Sequence, residues 1–151
     1  MNLFKRKFTN EEYQMLCKAF DIIVKTFNKH IKNPQYVFTY FHACNSKQKE
    51  KVIFCLEQMT NVSCGIYECA TMWHPISWFG YGFCCPFLPG RGILISEKTF
   101  KGGIKLLAEI VTHEFAHSQL YIGDGLMGEG IDSADFNNCI NDAWKWSSLI
   151  Y

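Results

Sequence analysis

A mainly helical α+β domain with a small β-sheet or hairpin is the fold that this sequence predicts. Three observations carry that expectation. Apolar residues recur at helical spacing through the first sixty positions, the pattern turns to alternation after Asn61, and a strongly apolar helical stretch follows Gly103. The chain has 151 residues, of which 48% are hydrophobic and 19% charged, so it can bury a core as one domain spanning residues 1–151. Residues 1–60 read as a helical scaffold, and residues 61–151 as strands, a central helix and a C-terminal helix.

The elements follow in order. Thr9 and Glu12 form a capping box ahead of Tyr13, Leu16, Cys17, Phe20, Ile23, Val24, Phe27 and Ile31. Pro34 stops that first helix. A second helical stretch puts Tyr36, Val37, Tyr40, Phe41 and Cys44 on one face, and Ser46 with Glu50 opens a third carrying Val52, Ile53, Leu56 and Met59. "VSCGIYECATMW" alternates and is rich in strand formers, which predicts a strand near Val62–Thr71. "HPISWFGYGFCCPFLPGRG" (His74–Gly92) reads as a long aromatic loop or distorted hairpin, with a short strand resuming near Gly92–Ser96. "KGGIKLLAEIVTHEFAHSQLY" is the best helix, apolar on much of its circumference and therefore central. "GDGLMGEG" is a turn, and "DSADFNNCINDAWKWSSLIY" reads as one last helix.

The net charge is +1, which favours no nucleic acid partner, and no apolar run is long enough for a membrane span. The N-terminal stretch lacks a secretory signal, so the expectation is a protein that stays where it is made or leaves by a signal-independent route. Eight cysteines leave two readings open, disulfides or buried free thiols. The absence of C-x2-C pairs argues against a structural zinc finger.

The chemistry lies in "VTHEFAH", where His113, Glu114 and His117 have the H-E-x-x-H spacing. Residues four apart share a helix face, so both imidazoles can reach one Zn2+ ion. Glu114, one residue round the helix, can act as general base toward a water on that metal. A catalytic zinc needs a third protein ligand. Leu120 and Gly123 occupy the positions where a metzincin has Gly and its last ligand, and Glu129 is too near for a gluzincin arrangement. Asp124, Asp132, Asp135 and Asp142 remain, with Asp142 also suited to orienting a metal-bound histidine.

Beyond H-E-x-x-H, "IGDGLMG" (Ile122–Gly128) matches D-x-x-x-G through Asp124 and Gly128. "ILISEKTF" precedes the motif helix, and "NDAWKW" (Asn141–Trp146) follows it. These features resemble the aspzincin metallopeptidases, the family of deuterolysin and peptidyl-Lys metalloendopeptidase, over roughly the last 60 to 90 residues. The resemblance implies a zincin-like fold, with His113, His117 and Asp124 as zinc ligands and Glu114 as catalytic base. Two departures stand out. Asp124 follows His117 more closely than is usual in the family, and the family's oxyanion-stabilising Tyr falls on Met127. Tyr121, at the helix end, is the hydroxyl that would take its place.

The remaining histidines read as structural. His30 would be a cation favoured by the helix dipole, His42 a helical surface or half-buried residue, and His74 a loop residue able to approach the cleft. Trp73, Trp78, Phe79, Tyr81 and Phe83 are expected to pack against the helices, with lining of a substrate groove as the alternative.

The expected function is a monomeric zinc endopeptidase acting on a protein or peptide, in the manner of a toxin or effector with a delivery or immunity partner. A zinc amidase acting on cell-wall peptides and a non-catalytic zinc-binding interaction module are the other readings.

Overall fold

The computed structural model describes residues 3–83, 92–124 and 131–150, with the side chain of Phe79 excepted. The fold is α+β and mainly helical. Strand β1 (Lys5–Arg6) leads into α1 (Asn10–Lys32), α2 (Gln35–Tyr40) and α3 (Ser46–Met59). A 3-10 turn (Val62–Cys64) precedes β2 (Tyr67–Ala70), α4 (Ile76–Phe79), β3 (Gly82–Phe83) and β4 (Ile93–Ser96). Helices α5 (Glu97–Lys101), α6 (Ile104–Leu120), α7 (Phe136–Ile140) and α8 (Ala143–Ser147) complete the order.

The Thr9–Glu12 capping box is present in full, and α1 ends at Lys32 ahead of Pro34. The third helix begins differently from expectation. Asn45 is its cap and Gln48 completes the box, because an Asn in extended backbone offers its side-chain oxygen to the Gln48 amide. Residues Val62–Thr71 do not form one strand. Gly65 breaks the alternation and the Tyr67 ring folds back over it, its hydroxyl donating to the Val62 carbonyl at 2.7 Å. A side chain at Gly65 would meet that ring at 2.8 Å, so only glycine admits the fold-back.

The sheet has the order β1-β2-β4-β3, with β2 and β4 parallel and both outer strands antiparallel to their neighbours. Every residue of β4 is buried, as suits a central strand. Helix α6 runs against the sheet and packs on α1, α3 and α8. One apolar cluster joins Ile23 and Phe27 of α1, Val52 and Leu56 of α3, Ile93 and Ile95 of β4, Leu107 and Val111 of α6, and Trp146 of α8. Both halves of the sequence therefore share a core. Among the described residues no helix is long and apolar enough to cross a membrane.

The expected C-terminal helix is two short helices. Asn141 and Asp142 leave helical geometry, and Asp142 caps α8 by accepting from the Trp144 amide at 2.9 Å. Asn and Asp compete for backbone groups in this way, which weakens helix continuation.

The aromatic segment leads into an antiparallel β3–β4 pair, the hairpin alternative, but its side chains depart from expectation. It holds α4 and β3, and Trp73, Trp78, Tyr81 and Phe83 are exposed rather than packed against the helices. Among the described residues Cys17, Cys44, Cys55, Cys64, Cys69 and Cys139 are free thiols, and burial raises the pKa of Cys55 to about 11 and of Cys69 to about 12. Cys84 and Cys85 lie outside the described residues.

Candidate metal centre

Helix α6 owes its position to its apolar circumference, which buries Leu107, Ala108, Ile110, Val111, Phe115 and Ala116. His113 and Glu114 lie within that buried stretch, and His117 sits one turn further on. The helix starts at Gly103, whose φ of 95° lies in the left-handed region that glycine adopts freely.

The other end of α6 shapes the site. Tyr121 takes the left-handed conformation, φ 54° and ψ 29°, and terminates the helix. The turn swings Ile122 back, so that Nδ1 of His117 donates to the Ile122 carbonyl. With its proton assigned to Nδ1 by that partner, neutral His117 presents a lone pair at Nε2. Two residues on, Asp124 reaches both imidazoles.

His113 Nε2 and His117 Nε2 stand 2.9 Å apart. Asp124 Oδ1 lies 3.1 Å from the first and 3.0 Å from the second. Donors about 2.0–2.1 Å from one zinc ion stand roughly 3.3 Å from each other at tetrahedral angles, so this triangle is slightly tighter than tetrahedral zinc coordination. Three electron-rich atoms at this separation repel unless a cation, a proton or a metal, lies among them. Burial is the largest influence on His113, followed by the charge of His117. Together they push its pKa down to about 4 against the opposing pull of Asp124. The imidazole is therefore neutral near pH 7, the form that binds metal. The side chains of His113 and His117 are buried, whereas that of Asp124 is 56% exposed, so the cluster opens to solvent on the aspartate side.

Asp124 is held by backbone. Gly123 and Asp124 form isolated bridges with Asp142, and the Ala143 amide donates to the Gly123 carbonyl at 2.8 Å. Asp142 does not hydrogen-bond to either histidine. Its Oδ1 caps α8, and Oδ2 is buried with no partner, which raises its pKa. The expected histidine-orienting role falls to the Ile122 carbonyl instead. Helix α8 then lays Trp144 against His113, ring centroids 4.1 Å apart.

No family model matches this chain, and neither does any curated protein.

Glu114 is buried, with Oε1 3.9 Å from Nε2 of His113, so its carboxylate lies beside the cluster without joining it. The other aspartates are elsewhere. Asp135 caps α7 by accepting from Asn138, and Asp132 is exposed in a turn. Among the described residues His113, His117 and Asp124 are the only His, Cys, Asp or Glu side chains grouped as metal ligands would be. Met127, Gly128 and Glu129 lie outside the described residues.

The Tyr121 backbone closes α6 in the left-handed conformation. The residue lines a cavity of ≈ 350 Å³ with Lys51, Phe54, Gln58 and Ile122. His30 corrects another expectation. It is buried and stacked on Tyr36, and burial depresses its pKa, so it is not the cation that the helix end would favour. His42 is exposed in a turn with φ 56°, outside any helix. His74 accepts from the Ile76 amide at 3.1 Å and shapes the start of α4.

Sequence reasoning missed Ile122 and Gly82. A carbonyl carries no side-chain signal. Gly82 belongs to a strand that the aromatic segment concealed, and its bare Cα faces Glu114.

Proposed function

We propose that this chain is a zinc-dependent endopeptidase of aspzincin type, with His113, His117 and Asp124 holding the metal and Glu114 as general base. The observation that carries this reading is the triangle of Nε2, Nε2 and Oδ1 atoms, 2.9–3.1 Å on a side, with a buried carboxylate next to it. Three protein donors leave an open position, which is the pattern of catalytic rather than structural zinc.

Bound zinc supplies Lewis acidity and lowers the pKa of a coordinated water toward neutrality. The chain's own residues do the rest. Glu114 accepts a proton from the attacking water and returns it to the leaving nitrogen. The carbonyl of Ile122 keeps His117 in the tautomer with a free Nε2. Burial keeps His113 neutral. Strand β3 stands at the edge of the described sheet beside Glu114, which favours an extended peptide as substrate, since an edge strand pairs with extended backbone.

Metal analysis and hydrolysis of protein, peptide and peptidoglycan panels test this. About one zinc per chain is expected. Glu114→Gln should keep the zinc and lose on the order of 10²–10⁴ in rate. Zinc bound without hydrolysis of any protein or peptide would end the protease reading. Cleavage confined to peptidoglycan would replace it with an amidase. Folded protein that takes up no zinc would remove the metal centre.

A further inference from the structure

Given the peptidase reading above, on which this rests, we propose that Trp144 determines substrate preference. Its indole is a platform for a large apolar side chain next to the scissile bond.

Helix α8 leaves one side chain outward. Ala143, Lys145, Trp146 and Ser147 are buried, whereas Trp144 is 42% exposed. The buried residues hold the helix in place. The Trp146 indole donates to the Ile140 carbonyl at 2.9 Å, and Lys145 Nζ donates to the Ile131 carbonyl at 2.9 Å. Of two tryptophans two residues apart, one is core and the other stands at the surface beside a candidate metal ligand. Exposure alone says little, since single apolar side chains are common at surfaces. The location is what matters.

The Trp144 ring centroid lies 4.1 Å from that of His113, at an interplanar angle of 43°. His113 Nε2 is 3.1 Å from Oδ1 of the exposed Asp124, on the side where the cluster opens to solvent. Next along α6, Glu114 meets β3 at Gly82. These two adjacent residues are therefore flanked by an edge strand and by an indole. An extended peptide can pair with β3 through its backbone. A peptide carbonyl that reaches the cluster then brings a neighbouring side chain to Trp144. Backbone pairing of this kind gives affinity, and side-chain contacts give selectivity.

The indole selects by chemistry. A leucine, methionine or phenylalanine side chain takes its own apolar area and that of the ring out of water. A lysine or arginine gains less on a ring face that stays solvated. A carboxylate would be set against Asp124.

Peptides that differ only at the residues flanking the cleavage point test this in the zinc-loaded full chain. kcat/KM should be about tenfold or more higher with Leu, Met or Phe there than with Ser or Asp. Trp144→Ala should bring that ratio to within about threefold, mainly through KM, with zinc content and circular dichroism unchanged. Trp144→Arg keeps a long side chain over His113 and decides the matter should Trp144→Ala lose zinc. It should shift the preference to Asp and Glu. Binding supplies a readout that needs no turnover. In the Glu114→Gln protein, calorimetry should show the Phe peptide binding about tenfold tighter than its Ser counterpart. Adding Trp144→Ala should erase the difference. Cleavage without an apolar preference would overturn the proposal and leave the peptidase reading standing. So would a preference for Lys or Arg, or an apolar preference that both Trp144 variants retain. Apolar-selective binding that depends on Trp144, without any cleavage, would keep the platform and end the peptidase reading. Neither cleavage nor selective binding would end both.

Discussion

A carbon atom added to Gly82 would stand 2.7 Å from Cγ of Glu114 and 3.2 Å from its carboxylate carbon. The strand therefore passes so close to the carboxylate that only a bare Cα fits. Gly82→Ala should displace the Glu114 side chain while leaving His113, His117 and Asp124 in place. The expected result is a loss of on the order of 10–100-fold in kcat, with zinc affinity little changed. Zinc titration alongside hydrolysis checks this, and an unaltered rate would show that Glu114 is indifferent to its seat.

Zinc should also stabilise the fold, because the unfolded chain cannot assemble the triangle. At a free zinc concentration of about one hundred times Kd, linkage adds about 2.7 kcal/mol. Thermal unfolding should then shift upward by several degrees and return on chelation. His117→Ala and Asp124→Ala should each abolish most of the shift. A zinc response that survives both substitutions would place the binding elsewhere.

Tyr121 holds a conformation that costs a non-glycine residue about 1–2 kcal/mol. Tyr121→Gly should hold or raise the melting temperature, and Tyr121→Ile should lower it. Tyr121→Phe keeps the turn and removes only the hydroxyl, and hydrolysis should stay within about threefold of wild type. A hundredfold drop in that variant would instead make the phenol an oxyanion donor.

Arg6 bonds to Glu12 through both terminal nitrogens and to Glu97, joining the start of α1 to α5. The guanidinium holds the Glu12 carboxyl below its ordinary value of 4.5. A carboxyl depressed in the folded state stabilises the protein above its unfolded pKa. That stabilisation is lost as pH falls from about 4.5 through the folded value. Urea unfolding should therefore show stability falling across that acid range. Arg6→Met should flatten the dependence and cost on the order of 1–2 kcal/mol at pH 7. A parallel curve in the variant would show that the pair contributes nothing.

Much of this molecule can be read from local pattern. The Thr9–Glu12 box, the stop before Pro34 and the apolar spacing around His113 and His117 are short-range signals, and the elements follow them. Asp124 was within reach because the candidates lay close behind the helix. Other features depend on distant partners. Tyr67 folds back because a glycine two residues earlier admits its ring. Asp142 interrupts a helical pattern because its backbone pairs with Gly123 and Asp124. Burial lowers the pKa of His30, although its place near a helix end favours charge. The exposure of Trp73 and Trp78 runs against the usual fate of large apolar residues, so composition pointed inward.

The bridges between Asp124 and Asp142 set an order of events during synthesis. His113 and His117 leave the ribosome on a helix that can form early. Their third companion stays unanchored until residues 142 and 143 have emerged and α8 has begun to dock. Chains fold from the N-terminal side as they are made, so the nascent protein passes through a stage with an intact helix and Asp124 not yet beside the two histidines. Metal capture would then come late in the chain's biogenesis, after the scaffold that surrounds it.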